Sequence, residues 1–393
     1  MPINTIKDKA AIIGIGHTAW SPSIGKSELA VALEAITKAI DDAGIKPSDI
    51  DGLTRFDIEN QHEEIIINNL GIGPLTYFSA IPFGGGAGSA TILHGAMAVA
   101  TGQANYVLAY RSRNRGKSSK GPGKYGGGRP WEKTAMQLTD NGMYHIPYGL
   151  VTPAQQSAIL TRRHMIEFGT TSDHLGTIAM GIRKHASRNP AAVMRDLYTL
   201  EDYKKSRMIA DPLHIYDCCL ETDGGAAVII TTAERAKSAK NRPVYIMAAS
   251  QGLAQMSTGM TNYYKDDIWN TDAVAANKRI WDLAGIGPND VDVAQLYDAF
   301  TTMVILNLEG YGFCKRGEAG PYAMTGALEW PNGKMPINTS GGGLSEAYVH
   351  GYNLVIEAIK QMRGTSTCQV KDAEISFNAS GPPVGTGAFI LRR

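Results

Sequence analysis

The chain has little of what marks several specialised classes of protein. Its 393 residues carry a formal net charge of +1, and 19% of them are charged. So small an excess of charge does not predict binding to nucleic acid or to an anionic membrane. No apolar run approaches the roughly 18 residues of a membrane span, and the start, MPINTIKDKA, lacks a signal-peptide core. These absences predict a soluble, cytoplasmic protein.

Cysteine and histidine are also scarce. The four cysteines form no CxxC pair, and the nine histidines are dispersed without the spacing of a metal-ligand set. We therefore expect a reducing compartment and no bound metal. The GGGAG run at 84–88 lacks the full G-x-G-x-x-G spacing and its downstream acid, so no nicotinamide cofactor is expected either.

Glycine is plentiful, with 44 residues, and two Gly-rich turns stand out. They are PFGGGAGSATILHG at 82–95 and NTSGGGLSEAYVHGYN at 338–353, and each is predicted to lead into a helix. Such a turn gathers backbone N–H groups and the positive end of a helix dipole, which suits an anion or an enolate oxygen. The alternative is that each turn only lets a strand pass sharply into a tightly packed helix.

The two turns belong to an internal duplication. DAGIKPSDID at 42–51 resembles DLAGIGPNDVD at 282–292, and each leads through a short apolar run to an aromatic residue and an acid, Phe56-Asp57 and Tyr297-Asp298. Repeated strands and helices predict an α/β fold with halves at 1–240 and 241–393. A loop or cap excursion is expected at about 111–200. The apolar run AAIIGIG at 10–16 predicts a buried parallel strand.

Three stretches resemble blocks of the thiolase superfamily. Residues 82–110 resemble its nucleophile turn, helix and strand; QLYDAFT at 295–301 resembles the block written HDCF or NEAF; and 338–351 resembles the block that ends in GHP. The resemblance implies the thiolase fold, in which two duplicated βαβαβαββ-type halves form a five-layered αβαβα sandwich.

The residues that react in thiolases are missing. By the same resemblance, the nucleophilic cysteine falls on Gly85, the histidine of GHP on Tyr348, and the histidine or asparagine of the third block on Tyr297. A glycine cannot form an acyl-enzyme, so acyl transfer through a covalent thioester is not expected.

Tyrosines at these two places resemble the lipid-transfer-protein branch of the superfamily, the steroid side-chain-cleaving aldolases. This resemblance implies retro-aldol cleavage of a β-hydroxyacyl-CoA on a steroid ring, releasing a ketosteroid and propionyl-CoA or acetyl-CoA, with Tyr297 and Tyr348 as an acid and base pair. His350 and Asp298 are secondary candidates, since each is expected to point away from its neighbouring tyrosine. The glycines expected to direct N–H groups at the thioester oxygen are Gly85, Gly86, Gly341 and Gly342.

The segment 110–128 is rich in Arg, Lys and Gly and has no acid. Its first arginines, Arg111, Arg113 and Arg115, are weak candidates for binding CoA. A partner site or a solvated loop explains the composition as well.

The resemblance also implies partners. One is an OB-fold protein, a domain of unknown function associated with an enoyl-CoA hydratase. The other is a second copy of this chain, with residues 106–111 as an edge strand that pairs across a two-fold axis. The CoA thioester is the substrate, and no separate cofactor is expected.

Other functions stay open at this stage. A non-catalytic lipid or acyl-CoA carrier, or a scaffold subunit, is the main alternative, and an acyltransferase is a weaker one. A zinc aldolase would need clustered ligands, and a Schiff-base aldolase would need a desolvated lysine, for which Lys334 is the candidate by sequence proximity.

Overall fold

The computed structural model describes residues 6–114, 145–257 and 259–393. Its strands are β1 (Ala10–His17), β2 (Gly52–Phe56), β3 (Tyr77–Ile81), β4 (Tyr106–Arg113), β5 (Met208–Ala210), β6 (Leu213–His214), β7 (Gly224–Thr232), β8 (Val244–Gly252), β9 (Val293–Leu296), β10 (Ile375–Ala379) and β11 (Thr386–Arg392). Its helices are α1 (Glu28–Ala43), α2 (Glu63–Leu70), α3 (Ala87–Ala100), α4 (Pro153–Phe168), α5 (Ser172–Ala186), α6 (Leu200–Lys205), α7 (Ala233–Ala236), α8 (Asp272–Ala284), α9 (Thr301–Gly310), α10 (Ala319–Met324) and α11 (Tyr352–Arg363).

Nine of these strands form one mixed sheet, in the order β3-β2-β4-β7-β1-β8-β11-β10-β9. β2 is parallel to β3 and β4, and β9 is parallel to β10, whereas β7, β1, β8 and β11 pair with their neighbours in the antiparallel sense. The two halves are joined through β1 and β8 by the pairs Ala11↔Tyr245 and Ile12↔Val244.

The duplication inferred from the sequence is visible in this order. Counted outward from the joint, β1-β7-β4-β2 on one side corresponds to β8-β11-β10-β9 on the other. Helices α1 and α8 precede matching 3-10 turns, Pro47–Asp49 and Pro288–Asp290, and α3 matches α11. The predicted α/β class with two similar halves is therefore confirmed.

Three hydrophobic clusters stack these elements in layers. One joins α1 to strands of the first half, a second joins α3 and α11 to strands of both halves, and a third joins α8 and α9 to strands of the second half. Helices thus lie outside each half of the sheet and between the halves, as the αβαβα prediction requires.

Helix α1 shows how local sequence sets the element bounds. The Ser27 side chain accepts a hydrogen bond from the Ala30 N–H and caps the amino end, and Gly44, at φ 70°, closes the other end in the left-handed conformation. The expectation of a parallel strand at 10–16 is wrong, because β1 is antiparallel to both β7 and β8. An apolar run reports burial on two faces and not the direction of its neighbours.

The predicted edge strand is also wrong. β4 lies between β2 and β7, and the edge on that side of the sheet is formed by β3, which pairs only with β2 among the described strands. No helix within the described ranges is long and apolar enough to cross a membrane.

Candidate active site

A phenol fills the place that a side chain at position 85 would occupy. Gly85 lies in the turn between β3 and α3, and Tyr297 directly follows β9. An ideal Cβ atom on Gly85 would lie 2.0 Å from the Tyr297 hydroxyl oxygen and 2.4 Å from its Cζ atom. The tyrosine at 297 therefore fits only because residue 85 has no side chain.

The rest of the turn is packed equally closely. A Cβ atom on Gly86 would lie 2.0 Å from the carbonyl oxygen of Gly385, and the Gly381 N–H donates to the Gly85 carbonyl oxygen at 3.1 Å. Only residues without side chains fit here. The turn is thus closely packed where it contacts the Tyr297 ring.

The two candidate tyrosines meet. The hydroxyl oxygens of Tyr297 and Tyr348 lie 2.5 Å apart, with ring centroids 6.1 Å apart and ring planes tilted by 56°. One phenol donates to the other, so that a phenolate on either residue would accept a hydrogen bond from its neighbour. The predicted pair is therefore brought into direct contact.

Both phenols are protonated at neutral pH. Burial raises the pKa of Tyr297 well above its usual value, and the neighbouring Tyr348 raises it further. Burial also raises the pKa of Tyr348, to about 12, but Arg113 and the hydrogen bond with Tyr297 oppose that rise. Of the two, Tyr348 is the phenol whose anion is better supported.

Two arginines on β4 reach this region. Arg111 and Arg113 are two residues apart and so lie on one face of the strand. Arg111 Nε donates to His350 Nδ1 at 3.1 Å, and the guanidinium carbon of Arg113 lies 4.9 Å from the centre of the Tyr348 ring. The two arginines therefore contact His350 and Tyr348, which are also two residues apart in the sequence.

The suggested role of Arg111 in binding CoA is not supported by its surroundings. It is 2% exposed, and its Nη1 atom pairs with the Glu59 carboxylate at 2.8 Å. A CoA phosphate cannot reach it without breaking this pair. Arg113 faces Tyr348, whereas Arg115 lies outside the described residues.

Asp298 holds the second Gly-rich turn. Its carboxylate accepts hydrogen bonds from the N–H groups of Gly343 at 2.7 Å and Leu344 at 3.4 Å. Burial raises the pKa of Asp298 to about 6, although these donors favour the charged form. A Cβ atom on Gly342 would lie 2.1 Å from an Asp298 carboxylate oxygen, which explains the glycine there.

The expectation that this turn directs its N–H groups at a substrate is therefore wrong in part. The Gly341 N–H donates to the Asn338 carbonyl oxygen at 2.9 Å, and the N–H groups of Gly343 and Leu344, which follow Gly342, donate to Asp298. With Gly341 at φ 108° and Gly342 at φ 55°, the turn is shaped around the protein's own carboxylate.

The helix predicted directly after this turn starts later. Gly342–Glu346 form a single π-helical turn, and α11 begins at Tyr352. Tyr348 lies between them, with its N–H donating to Thr222 Oγ1 at 2.8 Å. The expectation that His350 points away from Tyr348 is wrong for this reason, since their rings are 5.5 Å apart at 85°.

Cys219 is a neighbour that the sequence reasoning missed. Its N–H donates to the Ala299 carbonyl oxygen at 2.9 Å, and a thiolate there would raise the pKa of both tyrosines. Burial raises the pKa of the Cys219 thiol itself, so the thiol is neutral and a poor nucleophile. The signal in the sequence that could have indicated this position is the adjacent pair Cys218-Cys219.

Two alternative chemistries find little in the described part of the chain. No group of three His, Cys, Asp or Glu residues there is arranged to hold a metal ion. Lys334, the Schiff-base candidate, is exposed and donates to Asn289 Oδ1 at 3.0 Å. Such a lysine is not desolvated as an amine nucleophile requires.

The chain is similar in sequence to known proteins. A family model described as thiolase C-terminal domain-like matches residues 254–389. The chain is 41% identical to the 17-hydroxy-3-oxo-4-pregnene-20-carboxyl-CoA lyase of Mycobacterium tuberculosis, over 98% of this chain and 100% of that protein. It is also 41% identical to the steroid side-chain-cleaving aldolase of Thermomonospora curvata, over 99% of each chain.

Solved structures give the same result. The Ltp2-ChsH2(DUF35) aldolase matches with a TM-score of 0.91 and 40% identity, over 99% of this chain and 98% of that one. Human mitochondrial 3-ketoacyl-CoA thiolase matches over 99% of both chains with a TM-score of 0.70 at 14% identity, which shows the thiolase fold alone. The chain therefore belongs to the thiolase superfamily and, within it, to the family of the steroid side-chain-cleaving aldolases.

Proposed function

We propose that this protein cleaves the side chain of a steroid β-hydroxyacyl-CoA by a retro-aldol reaction. The observation that carries the proposal is the contact between the Tyr297 and Tyr348 hydroxyls beside a position 85 that has no side chain. The pair can move a proton, and the site offers no nucleophile at 85. Relatives with 41% identity are named as a steroid carboxyl-CoA lyase and a steroid side-chain-cleaving aldolase.

The reaction balances within this pair. The Tyr348 phenolate accepts the proton of the substrate's β-hydroxyl group, the oxygen forms the ketone, and the electrons of the broken carbon–carbon bond become the acyl-CoA enolate. Tyr297 gives its proton to the enolate carbon, and Tyr348 passes the first proton to Tyr297 across the 2.5 Å contact. The Tyr348 phenolate is restored, and no outside proton or redox partner takes part.

Tyr348 is assigned as the base for an electrostatic reason. Arg113 and the Tyr297 hydroxyl both lower its pKa, whereas Tyr348 raises the pKa of Tyr297. Asp298 and His350 act on the pair indirectly, through the turn and through the ring contact beside Tyr348. We propose that the reaction needs neither a metal nor another cofactor; turnover that a chelator abolishes and zinc restores would contradict this.

Two protein partners belong to the proposal. One is an OB-fold protein of the DUF35 type, since the solved aldolase that this chain matches is named for such a component. The other is a second copy of the chain, paired through the outer edge of β3 (Tyr77–Ile81), where Phe78 is 65% exposed. An unpaired edge with an exposed aromatic suits strand pairing across a two-fold axis. A monomer in sedimentation at micromolar concentration, with the DUF35-type protein present, would contradict the second copy.

The test uses purified protein, with and without a DUF35-type partner, and 17-hydroxy-3-oxo-4-pregnene-20-carboxyl-CoA. Cleavage beside the ring carbon yields a 17-ketosteroid and propionyl-CoA, which chromatography separates. Tyr297→Phe and Tyr348→Phe keep each ring and remove its hydroxyl proton, and each should lower kcat by about 10²- to 10⁴-fold. The kcat of the double variant should be only slightly lower than that of the less active single variant, because the pair acts as a unit.

The competing functions give different results. A carrier or scaffold would bind the CoA ester without releasing either product. An acyltransferase would exchange CoA without breaking the bond to the ring. Cleavage at the wild-type rate by both phenylalanine variants would contradict the assigned mechanism.

A further inference from the structure

Arg113 brings a positive charge into the site, and two of its guanidinium nitrogens have no hydrogen-bond partner among the described residues. They are Nε and Nη1, and both atoms are buried. Leaving these two buried donors unpaired costs folding free energy, although Arg113 as a whole is only half-buried, so they need an explanation. An acceptor that arrives with the substrate provides one.

Arg111 shows what a structural arginine on the same strand looks like. Its Nη1 and Nε atoms bond to Glu59 and His350, and Glu59 also accepts from the N–H and hydroxyl of Ser112. This network is closed within the protein. Arg113, two residues along the same face, has its guanidinium carbon 4.9 Å from the Tyr348 ring centre.

The missing acceptor should be the oxygen of the thioester. In the second Gly-rich turn, the N–H groups of Gly341, Gly343 and Leu344 donate to Asn338 and Asp298, so these three donors do not serve an enolate oxygen. CoA phosphates are a poor match for Arg113, because the pantetheine arm separates them from the thioester, and Arg113 lies beside the reacting phenols. A guanidinium offers several N–H donors in a fixed plane, which suits one oxygen that becomes negative.

We propose that Arg113 is a catalytic residue whose Nε–H and Nη1–H groups bind the thioester oxygen of the substrate and stabilise it as the enolate forms. This inference rests on the proposed function. The reacting groups then carry one negative charge throughout the cycle, first on Tyr348 and then on the enolate oxygen. One fixed cation lies beside both positions and compensates the charge without moving.

The experiment compares Arg113→Met, which removes charge and donors, with Arg113→Lys, which keeps the charge without the planar donors. Arg111→Met is the matched structural control on the same strand. Arg113→Met should lower kcat by about 10²- to 10³-fold with a smaller change in KM, because the charge on the oxygen develops in the transition state. Its Tm should equal or exceed that of the wild type, whereas Arg111→Met should lower Tm by leaving Glu59 unpaired.

A partial reaction isolates the enolate. Wild-type protein incubated with propionyl-CoA in D₂O should incorporate deuterium at the α-carbon, Arg113→Lys should do so more slowly, and Arg113→Met more slowly again. If the wild type cleaves and exchanges, and Arg113→Met does both at the same rates as the wild type, the role of Arg113 is overturned and the proposed function stands. A Tm loss in Arg113→Met as large as that in Arg111→Met would assign Arg113 a structural role instead. A wild type that neither cleaves nor exchanges would overturn the proposed function, and this inference with it.

Discussion

Replacing Gly85 with alanine should displace the phenol that the site depends on. The new Cβ atom would lie 2.0 Å from the Tyr297 hydroxyl oxygen, 2.4 Å from Cζ and 3.0 Å from Cε2, and real Cβ atoms essentially never approach closer than 3.0 Å. The ring or the turn must therefore shift by at least about 1 Å, and the turn is braced by Gly381 and Gly385. The φ angle of Gly85 is outside the left-handed region, so the effect reports the clash and not backbone strain.

Such a shift breaks the 2.5 Å contact between the tyrosines. We expect kcat to fall by about 10²- to 10⁴-fold, as for loss of a positioned acid or base, and overpacking to cost roughly 1–3 kcal/mol of unfolding free energy. The assay is product formation together with urea unfolding. Gly181→Ala in α5 is the control, since its nearest neighbour is 3.4 Å away and alanine should stabilise this helix by roughly 0.5–1 kcal/mol.

A second background tests the cause. Tyr297→Leu removes the ring atoms that the Cβ atom would meet, so adding Gly85→Ala to it should cost little further stability. Near-wild-type kcat in Gly85→Ala, or an equal loss of stability in both backgrounds, would refute the packing argument.

Three further results are expected. Because the base must be a phenolate and the pKa of Tyr348 is about 12, kcat/KM should rise with pH by about tenfold per unit from pH ~7 to ~10; a plateau at neutral pH would identify another base. Asp298→Ala leaves the Gly343 and Leu344 N–H groups without their acceptor and should cost about 1–3 kcal/mol in urea unfolding, while Asp298→Asn, which keeps one oxygen, should cost less. Burial raises the folded-state pKa of Glu346 from 4.5 to about 7, so the folded state holds this proton more tightly than the unfolded state does. The free energy of unfolding should therefore fall by about 3 kcal/mol as pH rises between these values. Glu346→Gln should reduce that fall, and the same pH profile in the variant would contradict the raised pKa of Glu346.

Local sequence predicted what local physics determines. Ser27 and Gly44 mark the ends of α1 because capping depends on residues within one turn of the helix end. The contact between Tyr297 and Tyr348 was predictable because the blocks that resemble thiolases place both residues where thiolases carry reacting side chains. Similar blocks imply similar positions even where the reactive residues have changed.

Other features depend on segments far apart in the chain. β4 was expected at the edge, but β7, which follows β4 by about 110 residues of chain, pairs along its full length. The second Gly-rich turn was expected to lead directly into a helix, but the N–H groups of Gly343 and Leu344 donate to Asp298, and α11 begins only at Tyr352. The sequence of the basic segment does not distinguish Arg111 from Arg113. Only the fold brings Glu59 to Arg111 and Tyr348 to Arg113.

The close fit between Gly85 and Tyr297 also limits the order in which the site could have arisen. The thiolase block that residues 82–110 resemble carries a cysteine where Gly85 stands, and its side chain would occupy the space that the phenol fills here. Tyrosine at 297 could enter only after, or together with, the loss of that side chain. An intermediate with glycine at 85 and the older residue at 297 would lack both the nucleophile of acyl transfer and one phenol of the proton-transfer pair. Reconstructed ancestors with glycine at this position and the older residue at 297 should bind CoA esters and be inert in both reactions.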